Sequence, residues 1–213
     1  MNTIVCCRRW KAVNLAKPVQ KLIALAAALA LPLLLAQPAK AAVYGYTVAL
    51  DGATEGNTSP GTGSASVFYN DLLHTLTVGV SFSGLTNTST GTTVSHIHAI
   101  TPSPFSGTAG VAVPFAGFPS SVRSGTYSNV IDLTLTGSWQ SGFLSGYPNT
   151  AAAETALFGA MNSGQTYWNI HSGAFPGGEI RGFLVAIPEP SAIALAGCAG
   201  AGFLAWRRGR RNR

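Results

Sequence analysis

Four side chains in this sequence have types and spacing that could do chemistry. His96 and His98 flank Ile97 in Ser95-His96-Ile97-His98, a run that reads as a β-strand. Residues two apart on a strand share a face at about 6–7 Å, so both imidazoles can reach one ion. His171 stands near the end of a second strand-like run, Tyr167-Trp168-Asn169-Ile170-His171-Ser172. Glu179 follows in the turn-rich Phe175-Pro176-Gly177-Gly178-Glu179. If the two runs pair, His96, His98 and His171 converge, with Glu179 as a carboxylate ligand or as a group that orients an imidazole. Imidazole suits transition metals, and the expected ion is zinc or copper. The competing expectation is that these histidines are hydrogen-bonded packing residues and that no cofactor is held.

Other chemistries find little here. Cys6, Cys7 and Cys198 lie near the two ends, so the middle of the chain offers no thiolate and no Cys-rich zinc site. No G-x-S-x-G nucleophile elbow occurs. The acidic residues are scattered rather than paired for glycoside hydrolysis, and the Gly-rich stretches lack the lysine of a phosphate loop. His74, beside Asp71, reads as an ordinary surface residue. Glu179 and Arg181 share a strand face and are expected to pair with each other; the alternative is that Arg181 neutralises a carboxylate elsewhere. Trp139, Tyr147, Tyr167 and Trp168 are the aromatics available for stacking on a polysaccharide, although Trp168 is expected in the core.

The elements that must position these groups are mostly strands. Tyr44, Tyr46, Val48 and Leu50 alternate with other residues, as do Leu76, Val78, Val80 and Phe82. Leu133 with Leu135, and Trp168 with Ile170, repeat the pattern, and a last strand is expected over about 179–186. Gly, Ser, Thr and Pro clusters at 52–63 and 102–110 read as turns and loops. One helix is expected from Thr150 to Asn162, capped by Thr150, with Glu154 in its first turn and Gly164 after its end. The fold class is all-β: an antiparallel β-sandwich with one short helix, flanked by an N-terminal signal helix and a C-terminal transmembrane-type helix.

Charge separates the middle from the ends. The 213 residues carry a formal charge of +6. Six of the 13 Lys and Arg lie at or before Lys40 and five at or after Arg207. Only Arg123 and Arg181 remain between, against Asp51, Glu55, Asp71, Asp132, Glu154 and Glu179, which leaves 2 − 6 = −4. An acidic domain has no patch to follow phosphates, so no nucleic-acid partner is expected. At about 145 residues it is large enough to bury a core without disulfides.

The first end has a basic region, an apolar stretch from Leu22 to Ala36, and Pro38-Ala39-Lys40-Ala41 before Ala42. That order is a signal peptide over residues 1–41, cut between Ala41 and Ala42, with the secretion machinery and signal peptidase as partners. The domain then occupies 42–187. The last end, 188–213, reads Pro188-Glu189-Pro190, an uncharged stretch from Ser191 to Trp206, and an arginine cluster. Such a stretch predicts transient membrane association with the arginines inside. Its three parts in this order resemble the PEP-CTERM sorting signal. That resemblance implies recognition by an exosortase and an exopolysaccharide-producing Gram-negative bacterium. It also implies a location in the cell envelope or outside, with exopolysaccharide or other matrix components as further partners.

The middle also resembles a family. Tyr167-Trp168-Asn169-Ile170-His171-Ser172-Gly173-Ala174-Phe175-Pro176-Gly177-Gly178-Glu179-Ile180-Arg181-Gly182 is similar to the closing motif of the CHRD (chordin-type) domain. His96-Ile97-His98 matches its upstream H-I-H, and Trp139 resembles a tryptophan that precedes its helical segment. Ala99 and Phe183 depart from the glycine and glutamine usual at those places. The resemblance, over about 44–185, implies an extracellular β domain without established enzymatic activity. The expected function is therefore an exported surface or matrix protein with a non-enzymatic binding or structural module. The alternative is a metal-binding or metal-dependent redox protein using His96, His98 and His171.

Overall fold

The computed structural model describes residues 41–86 and 91–188. The expected signal segment up to Lys40 and the sorting tail from Glu189 lie outside them. Among the described residues no helix is long and apolar enough to cross a membrane.

Nine strands form among the described residues: β1 (Val43–Asp51), β2 (Thr62–Asn70), β3 (Thr75–Ser83), β4 (Thr92–Ala99), β5 (Val111–Pro114), β6 (Gly125–Asp132), β7 (Thr166–Ser172), β8 (Ile180–Phe183) and β9 (Val185–Ala186). They join one antiparallel sheet in the order β5-β4-β7-β8-β1-β2-β3-β6, with β9 also beside β1. The expected sandwich is corrected here: the layers are one continuous sheet curled into a half-barrel. The seam between its halves is thin: β1 and β8 share one registered pair, Asp51 with Arg181, and β9 adds two, Tyr46 with Ala186 and Thr47 with Val185. No stretch of sequence encodes that closure; it follows from where β8 meets β1.

Period-two burial drives the strands together. Along β1, Tyr46, Val48 and Leu50 are buried while Thr47 and Ala49 face out. β3 repeats this with Leu76, Val78, Val80 and Phe82. From the other half, Ile97, Trp168 and Ile170 fill the same core. Trp168 is fully enclosed, with Phe115 at 4.6 Å between ring centroids and its indole N–H donating to Ser95 Oγ at 2.8 Å.

Two expected elements differ. Leu133 and Leu135 follow β6 rather than forming a strand: Leu133 is buried, and Leu135 is exposed beside a 3₁₀ turn at Thr136–Ser138. The last strand breaks at buried Leu184 into β8 and β9.

Three helical segments accompany the sheet: α1 (Gly52–Glu55), α2 (Ser141–Leu144) and α3 (Thr150–Asn162). The bounds of α3 are as expected, but its cap is one residue earlier. Asn149 Oδ1 accepts from the Ala152 N–H at 2.9 Å, and Gly164 takes the left-handed backbone (φ +68°) after its end. Glu154 falls beyond the first turn, not within it. It is 5 % exposed and accepts from the Tyr69 hydroxyl at 2.7 Å, with His74 Nδ1 3.0 Å away. His74 is thus a tether between the β2–β3 turn and α3, not an idle surface residue. Replacing Glu154 with Ala should destabilise the protein by about 1–3 kcal/mol, because the Tyr69 hydroxyl loses its acceptor. Urea denaturation of the single variant against Tyr69→Phe/Glu154→Ala should show part of the loss recovered in the double.

Candidate functional site

β4 and β7 lie antiparallel, with His96 opposite Asn169 and His98 opposite Tyr167. On β4 the inner face takes Ser95, Ile97 and Ala99, which turns His96 and His98 outward together with Val94. On β7, Trp168 and Ile170 face the core, so Tyr167, Asn169 and His171 share the outer face with the two β4 histidines. His171 falls diagonally from His96. Period two on two paired strands therefore delivers three imidazoles to one place.

Their ligand atoms all lie within 4.8 Å of one another. Ring centroids are 5.1 Å apart for His96 and His171, and 5.6 Å for His96 and His98. Backbone carbonyls fix two tautomers. His98 Nδ1 donates to Ala109 O at 2.9 Å, and His171 Nδ1 donates to Pro176 O at 2.8 Å. In the neutral rings each Nε2 then carries a lone pair, the arrangement in which a second group orients a metal-binding imidazole. His171 Nε2 and His96 Nδ1 are buried without a hydrogen-bond partner. Such nitrogens are costly unless something binds them.

Electrostatics favours the neutral form of two of these rings. Burial, reinforced by the neighbouring His171 and His98, pushes His96 down to about 4 from the ordinary 6.5. Burial lowers His98 as well, against the opposing hydrogen bond to Ala109. Between these values the unfolded chain binds a proton at residue 96 that the folded protein refuses. Stability should therefore fall as pH drops from about 6.5 to about 4. For metal-free protein the loss should be on the order of 1–2 kcal/mol, since the partly solvated ring is screened. Urea midpoints across that window should flatten in His96→Gln.

Glu179 is not brought to the imidazoles. The regular strand begins only at Ile180, after Gly178 at φ +134°, so Glu179 escapes the pleat alternation that placed it on the histidine face. Its carboxylate is fully buried and accepts from Ser59 Oγ at 2.7 Å and the Thr86 N–H at 2.5 Å. Burial raises its pKa, but the bonds from Ser172, Ser59 and Thr86 outweigh that and lower it. It pins the loop after α1 to the β7–β8 turn.

Arg181 pairs with Glu55 (3.6 Å), not Glu179, and donates from Nε to Thr54 O at 2.7 Å. Its guanidinium lies over Tyr167 at 5.0 Å, and Tyr167 in turn stacks flat on His98 at 4.6 Å and 7°. Burial raises the Glu55 pKa, partly opposed by Arg181. Reading from types alone misses the parts that Tyr167, Asn169 and Glu55 play here, Tyr167 being read only as a stacking aromatic. The first two were detectable, since period two puts them on the His171 face; Glu55 was not, because α1 reaches the site only through the β1–β8 seam.

Trp139, Tyr167 and Trp168 are buried, and the Trp139 indole donates to Leu133 O, so these rings form no exposed stacking platform. The family model of the CHRD domain matches residues 46–184, from β1 through the three histidines to the end of β8. The chain belongs to the CHRD domain family. The CHRD domain is typically a non-enzymatic module, and its matched span coincides with the half-barrel. No curated protein and no solved structure matches the chain significantly.

Proposed function

We propose that this protein is an exported, non-enzymatic CHRD module that binds a transition metal, zinc or copper, through His96, His98 and His171. One observation carries the metal reading: three imidazoles whose ligand atoms lie within 4.8 Å, two of them with a buried nitrogen that has no partner. Neutral nitrogen donors without a carboxylate favour zinc and copper over calcium, magnesium or manganese. The metal's part would be to tie β4 to β7 and to be held there. Metal-depleted full chain, reconstituted with zinc or copper and freed of excess, should retain one equivalent by elemental analysis. Absence of specific uptake overturns the reading.

The proposal extends to location: the cell envelope or extracellular space of a Gram-negative bacterium, reached through secretion and sorting by an exosortase. The order of segments at both ends supports it. Ala42, the first residue after the expected cut, directly precedes β1, and its N–H donates to Asp71 Oδ1 at 2.9 Å. A freed amino group there would meet a carboxylate. Mass spectrometry of the mature protein should give an N-terminus at Ala42 and no residues beyond the Pro188-Glu189-Pro190 region. An intact signal segment overturns export by cleavage, and an intact tail overturns exosortase processing.

A further inference from the structure

An amide shares the strand face of the histidine cluster. Asn169 is 2 % exposed and pairs across the strands with His96. Its Oδ1 also lies 3.1 Å from His98 Nε2. The other nitrogen of that ring, Nδ1, is committed to the Ala109 carbonyl. In the neutral ring Nε2 therefore presents a lone pair, and a carbonyl oxygen facing it makes two acceptors opposed with nothing between them. Two arrangements relieve this. The amide can turn over and donate an N–H to Nε2, or a cation can lie between the two and take both lone pairs. With metal–ligand bonds of about 2.0–2.1 Å, the observed separation subtends roughly 100° at the ion, near the tetrahedral angle. His96 Nδ1 and His171 Nε2 are buried and without partners, and the ligand atoms of the three imidazoles lie within 4.8 Å of one another.

We propose that Asn169 is the fourth ligand, through Oδ1, making a closed site of three histidines and one asparagine. The inference rests on the metal reading above and deepens it. Zinc sites with four protein ligands hold the ion, whereas catalytic ones keep a position for water or substrate. A closed set therefore explains how a metal centre can belong to a module that performs no reaction. Without metal, the turned amide serves as its placeholder, shielding the His98 lone pair until an ion displaces the N–H.

The test uses copper(II) on the full chain, reading affinity by chelator competition and inner-sphere water by water-proton relaxation. Wild type should bind one equivalent with little inner-sphere relaxation. Asn169→Ala should lose about tenfold or more in affinity, and relaxation should rise as water takes the vacated position. Asn169→Asp, close in shape, should keep relaxation low and bind more tightly, and it decides the matter if the alanine variant does not fold. Wild-type affinity and relaxation in Asn169→Ala, or unchanged affinity in Asn169→Asp, overturn the amide ligand and leave the three-histidine reading standing. No copper uptake by wild type overturns both.

Discussion

Replacing His98 with Ala should abolish stoichiometric metal uptake, lowering affinity at least about 100-fold, more than loss of a supporting partner typically costs. His98 is the most enclosed of the three imidazoles, held by Ala109 on one nitrogen and flat against Tyr167 on its face. It therefore enters the site already oriented, and its removal takes away the best-organised donor. Its burial also means the variant loses packing, so folding must be monitored by circular dichroism. His96→Ala serves as the companion, since that residue is only partly buried. His74→Ala, whose ring binds Glu154 instead, should keep full uptake. A ligand that binds only the folded state stabilises it by about 2.7 kcal/mol at a hundredfold excess over Kd. Wild type and His74→Ala should show that thermal shift with zinc, and His98→Ala should not. Full retention of one equivalent by His96→Ala/His98→Ala would exclude the cluster as the site.

The histidine face was legible because strand alternation is local: once two runs are strands, the parity of 96, 98 and 171 settles which side they share. The β1 and β3 alternation and the bounds of α3 were legible for the same reason. What escaped depends on contacts between distant segments. Glu179 has the right chemistry and nearly the right position, but Gly178 releases it from the pleat and Ser59 and Thr86 capture it. His74 looks like a surface residue and Glu154 like a first-turn helix residue; only the docking of α3 over the β2–β3 turn joins them. Leu133 and Leu135 mimic a strand, yet the actual β6 runs through the more polar Gly125–Asp132, whose pairing with β3 supplies what its composition does not. The half-barrel is the largest such case, since its seam rests on one registered pair between β1 and β8 and two between β1 and β9.

That seam predicts the largest effect on stability. Gly182, in β8, lies opposite Trp168, and a Cβ at its position would drive directly into the carbonyl of Ala49 and against Val48. Its neighbour Arg181 makes the one registered pair with β1. Close backbone approach is what lets the sheet curl there, and a backbone carbonyl cannot rotate away as a side chain can. Gly182→Ala should therefore cost about 3 kcal/mol or more, at or above the upper end for an added methyl in a packed core. The damage should also reach the metal. Pushing β8 from β1 shifts Arg181 off Tyr167 and loosens the ring stacked on His98, so uptake should weaken even at temperatures where the variant remains folded. Gly79→Ala is the matched control. It too is a strand glycine, but only Ser66 Oγ, at 3.6 Å, lies near its added Cβ, on the outer face. It should stay within about 0.5 kcal/mol of wild type or gain slightly, because alanine restricts the unfolded chain more. Urea denaturation of both variants decides between seam and composition. Equal, small effects would mean that the contact between β8 and β1 is not what closes the half-barrel.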